Sequence, residues 1–360
     1  MSADPRCRDP RVTRWLRMVA AMTFCLIVAG GFVRLTRSGL SIVEWNPVQG
    51  VLPPMTGPAW QSEFAKYQNT PEFRTVNYAM TLEGYQRIFY VEWAHRLIAR
   101  IAGLAVVIPL LVFLVRGVIP WRQSGLFIGI ALLFGVQGVL GWFMVSSGLL
   151  SRPAVSHYRL TLHLLTALLL LATTTWAAMN RSVRAGRAMS GLGHSPLSRL
   201  ALVLLAVVTV QIAYGGLVAG LKAGHVSYSW PLMGGVLLPA GLFAGADSWW
   251  SAITASPAAV HWIHRWFAFI VAAAVVALMA GARRAAVTPS ARRAIHLVAA
   301  LVALQILLGI SVLWWQVPIV LALSHQALGL GVFTTTLVVC HRLRQGEGVR
   351  GRGGPSGVVR

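Results

Sequence analysis

Four histidines stand inside stretches otherwise apolar enough to cross a bilayer: His95, His163, His264 and His325. An imidazole in hydrocarbon is expensive to place and normally faces a bundle interior. Two of the four occur in similar words. EWAHRLIARIAG runs from Glu92 and HWIHRWFAFIVA from His261, each a polar residue, two spacers, His-Arg, then apolar residues. All four lie about two turns inside the same end of their segments, roughly 10 Å deep at about 1.5 Å per residue. Paired imidazoles from facing helices at equal depth suit axial ligation of a heme iron, and such sites sit inside helical bundles. A structural zinc wants four N or S ligands at one point, and no cysteine is near. The alternative for each is a hydrogen-bonded core histidine, which four matched positions disfavour.

Residues i and i+3 share a helix face, so Glu92 and His95 are expected to face one cavity. A carboxylate there could take up protons or stabilise positive charge developing on a bound ring. The second word has His261 in its place. The half with the acid is therefore the better candidate for chemistry, and the other for a resident cofactor that moves electrons. The alternative for Glu92 is an interfacial acid paired with an Arg. Arg96 and Arg265, directly after a histidine, are positioned to pair with propionates or to snorkel to headgroups; Arg100 is one turn deeper. His157, His194, His225, His296 and His341 lie near segment ends or in loops and read as solvated or structural.

The segments that must position these residues are apolar stretches near 15–34, 88–115, 123–146, 157–180, 199–219, 258–282, 294–314 and 319–341. The chain of 360 residues is 56% hydrophobic and 11% charged, with a mean hydropathy of +0.68. A soluble chain carries about 25% charged residues. Segments near 20 residues must satisfy their backbone internally in lipid and so are helices. Most of the 31 Lys and Arg fall in the two tails and the second, fourth and sixth connections, whereas most acids fall on the opposite side. The positive-inside rule makes the basic side cytoplasmic, with both termini inside. The same distribution explains the net charge of +22 without nucleic acid. A retained first helix, rather than a cleaved signal, follows the five N-terminal arginines.

The two halves repeat. GGFVRLTRSGL (30–40) matches GGLVAGLKAGH (215–225). Trp45 with Trp230 and Pro54 with Pro239 keep the same offset, and QGVLG (137–141) matches QILLG (305–309). The reading is an all-α integral membrane protein of eight transmembrane helices, built as two pseudo-twofold-related four-helix bundles. Its parts are a cytoplasmic tail (1–14), an N-terminal bundle (15–180) with a long outer loop (35–87), a linker (181–198), a C-terminal bundle (199–341) and a basic disordered tail (342–360). Within the first outer loop, QSEFAKYQNTPEF and MTLEGYQRIFY are expected to form short helices on the membrane.

RLTRSGLSIVEWNPVQGVLPP, EFAKYQNTPEF, IFYVEWAHR, QGVLGWFMVSSGL, AGLKAG and SHQALG closely resemble the heme A synthase family, in its mitochondrial and alphaproteobacterial form, over about Ala20 to Thr336. The resemblance implies an enzyme that oxidises a peripheral methyl group of heme O to a formyl group, through an alcohol and with oxygen from water, giving heme A for terminal oxidases. It implies His95 and His163 as ligands of substrate heme O, Glu92 as the catalytic carboxylate, and His264 and His325 as ligands of a heme b cofactor. It also implies a bacterial inner-membrane location and partners such as heme O synthase and terminal-oxidase assembly factors; an oligomer is compatible with it. Another branch carries cysteine pairs in the outer loops. The cysteines here are Cys7, Cys25 and Cys340, which excludes a loop-disulfide mechanism. His261 departs from the neutral polar residue expected there and could add a hydrogen bond or an alternative ligand. Two further readings are a di-heme b-type electron-transfer protein without heme-modifying activity, which gives no role to the Glu92/His261 difference, and a repeat-built transporter, which lacks the mid-span Gly/Pro breaks.

Overall fold

The computed structural model describes residues 9–46, 49–150, 152–182, 195–243 and 247–350. His194 and the basic residues beyond Arg350 lie outside these. Among the described residues, eight helices are long and apolar enough to span a membrane: α1 (Pro10–Leu35), α4 (Leu82–Val115), α5 (Gly125–Leu150), α6 (His157–Ser182), α7 (Pro196–Gly220), α9 (Pro257–Arg284), α10 (Pro289–Trp314) and α11 (Ile319–Arg350). Three short helices, α2 (Gly57–Gln68), α3 (Pro71–Thr75) and α8 (Trp249–Thr254), belong to the two long connections. Among the described residues the only β feature is the isolated bridge Met233–Val236.

Every apolar stretch is a helix, but several begin earlier than apolarity alone predicts. The reason is cap chemistry. Asp9, Ser256 and Thr288 each accept a hydrogen bond from the second residue or third residue of the helix they precede, and each is followed by Pro. A polar N-cap with Pro at the first position satisfies a free N–H and presets φ. At the other end, α11 runs past the expected boundary at 341 to Arg350.

The spans are apolar all round. On α4 the stripe Leu104, Ile108 and Leu111 is 54–57% exposed, while Ala102, Val106 and Leu110 are buried. A helix with an apolar outer face as well as an apolar inner one belongs in lipid.

Contacts divide the chain into two compact units, Met1–Thr174 with Ala219–Lys222, and Thr175–Val218 with Ala223–Arg360. In the first, α1 packs on α4 and α4 on α5; in the second, α9 packs on α10 and α10 on α11. The sequence repeat reappears as backbone geometry. Arg37 and Lys222 end equivalent helices at φ 54° and 53°. Side chains rarely adopt this left-handed region, at a cost of roughly 1–2 kcal/mol. Beyond the turn, Ser41 N donates to Ser38 O and Val226 N donates to Ala223 O, at matching positions.

The MTLEGYQRIFY segment is not a separate helix. It forms the first turns of α4, whose 34 residues exceed the roughly 20 needed to cross a bilayer. The overhang carries Tyr85 and Phe89 into an aromatic cluster with Trp60 and Tyr67 of α2. Tyr67 stacks on Tyr85 at 5.1 Å and Trp60 meets Phe89 edge-on at 5.0 Å. Such pairs contribute about 0.5–1.5 kcal/mol each beyond burial.

Candidate functional site

The aromatic cluster positions Glu92. Its carboxylate is 2% exposed and faces the turn after α1. Oε2 accepts from Ser41 N (2.8 Å), Ser41 Oγ (2.6 Å) and Ile42 N (2.9 Å). Oε1 accepts from Arg96 Nη2 (2.6 Å) and Nε (3.1 Å). The turn is held in turn by Tyr85, whose hydroxyl donates to Ser41 O at 3.2 Å. Arg96 Nη2 also donates to Ile42 O at 3.3 Å. The sequence offered Arg96 a propionate or a headgroup, and Glu92 an arginine; the structure pairs Arg96 with Glu92.

His95 lies one turn below Glu92 on α4. Its ring faces Gly30 of α1: a Cβ there would sit 3.5 Å from His95 Cε1. His163 of α6 faces Gly141 of α5 in the same manner, at 3.4 Å. His95 and His163 are close enough to interact electrostatically. Both Nδ1 atoms are buried without a hydrogen-bond partner. Gln137, one turn before Gly141, donates its amide to His163 O at 3.0 Å.

The second unit repeats this frame. His264 of α9 and His325 of α11 lie with ring centroids 6.4 Å apart at an interplanar angle of 74°. Metal–imidazole bonds of about 2 Å, with each ring centre roughly 1 Å behind its nitrogen, place two opposed axial imidazoles about 6 Å apart. The observed spacing therefore fits a metal held between the rings. Gly215 faces His264 and Gly309 faces His325; the added Cβ would lie 3.4 Å and 2.9 Å from Cε1. Gln211 and Gln305 donate to His264 O (3.0 Å) and His325 O (2.9 Å). Among the described residues no three His, Cys, Asp or Glu converge to chelate a metal. Two imidazoles per unit suit a ring that brings its own nitrogens.

The two opening words share more than a histidine. Trp93 Nε1 donates to Val51 O (3.1 Å) and Trp262 Nε1 to Leu237 O (2.9 Å), each pinning its own outer segment. Arg265 Nη2 donates to Ser229 O and Pro231 O at 2.8 and 3.1 Å, as Arg96 does to Ile42 O. In both copies Trp and Arg fasten the outer segment over the histidine. They differ at the first residue. His261 is 1% exposed with its Nδ1 unpartnered, and the residue matching Ser41 is Val226. Arg265 keeps Nε and Nη1 buried without a partner, a donor pair suited to a carboxylate.

The outer segment of the first unit holds a second buried acid. Glu72 is 4% exposed and its Oε2 has no partner. Burial, with the negative charge of Glu92 adding, pushes its carboxyl up to about 7 against the opposing pull of Lys222 and Arg37. Burial likewise raises Tyr67 to about 12. Lys66 bonds Glu63 (2.7 Å) and Glu44 (3.1 Å), which holds Glu44 below the usual carboxylate range.

Other histidines take structural places. His341 bonds Asn180 Oδ1 at 3.0 Å and meets Trp176 edge-on. His225 bonds Tyr228 at 3.1 Å, His296 is exposed, and His157 packs against Gly220. The sequence reading missed Ser41, Glu72 and Gln211. Gln211 had a signal: QIAYG (211–215) has the Gln-three-Gly spacing of QGVLG and QILLG.

The model of the cytochrome oxidase assembly protein family matches residues 13–337. The curated heme A synthase of Sphingopyxis alaskensis is 40% identical over 336 residues, 93% of each chain. That of Caulobacter vibrioides is 44% identical over 321 residues, covering 89% of this chain and 92% of its own. That of Nitrosospira multiformis is 40% identical over 333 residues, covering 92% and 93%.

Proposed function

The chain belongs to the cytochrome oxidase assembly protein family, and we propose that it is itself a heme A synthase, oxidising a peripheral methyl group of heme O to a formyl group. The observation that carries this is an asymmetry on a duplicated frame. Both units set two glycine-flanked histidines under a pinned outer segment. The first alone adds Ser41 and Glu92, and turns Arg96 onto that carboxylate, which lies one turn from His95.

In this reading His95 and His163 hold heme O, which is substrate. His264 and His325 hold heme b, and Arg265 meets a propionate of that heme through its two unpartnered donors. Arg96 is a propionate contact only by sharing the guanidinium that serves Glu92. Turning a methyl into a formyl group with oxygen from water releases four electrons and four protons. An external oxidant must take up the four electrons, and heme b, held by His264 and His325, would pass them on one at a time. The protons fall to the protein. Glu92 is the one acid on the histidine face of α4, and it can accept a proton from water or from the carbon being oxidised. Arg96, Ser41 and Ile42 orient that carboxylate before substrate arrives, so no reorganisation is needed during the reaction. The ionised form also stabilises positive charge developing on the ring. Trp93 and the aromatic cluster keep the outer segment closed over the site and exclude water other than the reactant.

Most of the basic residues lie on the side opposite Glu92, which supports both termini in the cytoplasm and the chemistry near the outer face of the inner membrane. The family resemblance is what supports heme O synthase as donor and terminal-oxidase assembly factors as acceptors.

The test is pigment extraction from membranes that express the chain beside a source of heme O. Wild type yields heme A. Glu92→Ala retains the heme b spectrum and accumulates heme O or a partly oxidised product. Heme A output unchanged in Glu92→Ala removes the catalytic role, and a wild type that binds heme yet makes no heme A favours an electron-transfer protein.

A further inference from the structure

The histidines are not held alike. Three of the four spanning helices that face them carry Gln four residues before the flanking glycine: Gln137 with Gly141, Gln211 with Gly215, Gln305 with Gly309. Four residues are about one turn, so amide and glycine share a face. Each amide donates to the backbone carbonyl of its histidine, at 2.9–3.0 Å. In the second unit the same amide also lies against the ring: Gln211 Nε2 is 3.3 Å from His264 Nδ1, and Gln305 Nε2 is 3.2 Å from His325 Nε2. The other amide atom, Oε1 of Gln211 and of Gln305, is buried without a partner. An imidazole bound to metal through one nitrogen presents an N–H on the other, and it needs an acceptor. The second unit thus rests each imidazole on the Nε2 of an amide already anchored to that histidine's backbone, at Nδ1 of His264 and at Nε2 of His325, and the unfilled Oε1 belongs to that same amide.

The fourth position breaks the pattern. Four residues before Gly30 stands Leu26, half-buried. Among the described residues no side chain from another helix hydrogen-bonds the His95 carbonyl or ring, and His95 Nδ1 is unpartnered. The hold therefore grades from both rings of the second unit, through His163 clamped at its backbone, to His95 not clamped at all.

We propose that Gln211 and Gln305 are positioning residues that lock the axial histidines of the resident heme, and that Leu26 leaves His95 the exchangeable ligand through which substrate heme enters and product leaves. This rests on the assignment of the first unit to substrate. A cofactor must stay bound for the life of the enzyme, and a heme product must depart every cycle. One frame meets both needs by keeping or omitting a single amide.

The experiment uses the full-length protein in detergent, with apomyoglobin as heme scavenger, reading heme loss and the midpoint potential of the retained heme b. Gln211→Leu and Gln305→Leu lose heme b at least about tenfold faster than wild type, the scale of losing one such outer partner of a ligand. Gln305→Leu raises the heme b potential, while Gln305→Glu, which keeps an acceptor and adds negative charge, lowers it. A purely structural amide would not give shifts of opposite sign. Leu26→Gln slows loss of heme from the first unit by about tenfold and leaves heme b unchanged. Heme loss at wild-type rates in both Leu variants, shifts of one sign at 305, or unaltered exchange in Leu26→Gln with normal heme b each overturn the proposal. Wild-type heme A synthesis in the same preparations reports separately on the assignment of function.

Discussion

The two units use the same parts to opposite ends. In each, a Trp and an Arg pin the outer segment, and two histidines nest against glycines. At the position one turn above the first histidine, the first unit has Glu92 in a cage of five hydrogen bonds, and the second has His261 with a free nitrogen. The outer segments differ in the same sense. The first contains Glu44, Glu63 and Glu72, and the second, between Leu221 and Ser256, has Asp247 as its one acid. Under the proposed function, binding a porphyrin needs only the shared frame. What separates a site for chemistry from a site for storage is the proton-handling group above it and the firmness with which the ligands are held.

The largest break in that comparison comes from the ligands. His264→Ala or His325→Ala is expected to cut resident heme to under about a tenth of wild type, since loss of one of two metal bonds exceeds any hydrogen bond in the site. His95→Ala and His163→Ala leave the heme b spectrum in place and abolish heme A. Optical spectra of the four purified variants check this. If all four lose heme b equally, the division of labour between the units is wrong.

Next is the cage around Glu92. Ser41→Ala removes the 2.6 Å donor to Oε2, and Val226 shows that the fold tolerates an apolar residue there. A hydrogen bond to a charged group contributes about 1.5–3 kcal/mol, so heme A output should fall by about tenfold or more with heme b retained. The reciprocal change, His261→Glu with Val226→Ser, builds the cage in the second unit. It should lower the heme b potential by placing a carboxylate near the ring, without creating a second synthase site. Redox titration and heme extraction measure both arms.

Much of this frame was legible in the sequence because it follows from spacing. Apolar length gave all eight spans, and the repeated word around His95 and His264 marked two of the four histidines that the structure sets against glycines. The aspartate- and serine-proline caps that start α1 and α9 were written there too, but apolarity ignores them, so the helix starts came late. The cage was hidden because Ser41 and Glu92 are 51 residues apart and meet only when the aromatic cluster folds the turn onto α4. The Glu92–Arg96 pair, by contrast, is an i,i+4 pair on one helix and matches the interfacial acid–arginine alternative read from the sequence.

The glycines offer a smaller, graded effect. A Cβ at 309 meets His325 at 2.9 Å, tighter than the 3.4 Å at 141 against His163. Gly309→Ala must therefore displace the imidazole ring, at about 1–3 kcal/mol for overpacking. At 141 the contact is ordinary, and the helix gains roughly 0.5–1 kcal/mol from Ala over Gly. Gly309→Ala is expected to weaken and broaden the heme b spectrum, and Gly141→Ala to leave the thermal midpoint level or slightly raised. Equal behaviour of the two would mean that the closer contact at Gly309 has no energetic content.

The smallest expected effect concerns Glu72, which has no counterpart in the second outer segment. Its carboxyl is raised from an ordinary 4.5 to about 7, chiefly by burial and secondarily by Glu92, against Lys222 and Arg37. The folded chain thus holds this proton more tightly than the unfolded chain. The resulting stabilisation is complete below about 4.5 and is lost as pH rises through 7. Above that range the buried charge is a cost on the order of 1–3 kcal/mol. Glu72→Gln keeps the shape and removes the charge. It should match wild type in thermal midpoint near pH 4.5 and exceed it at pH 8, with the difference growing between the two. A constant difference across that range would mean that Glu72 does not change its proton on folding. The opposite slope would mean that Lys222 and Arg37 outweigh burial, and that the acid in the first outer segment is held as an ion, ready to oppose negative charge on Glu92.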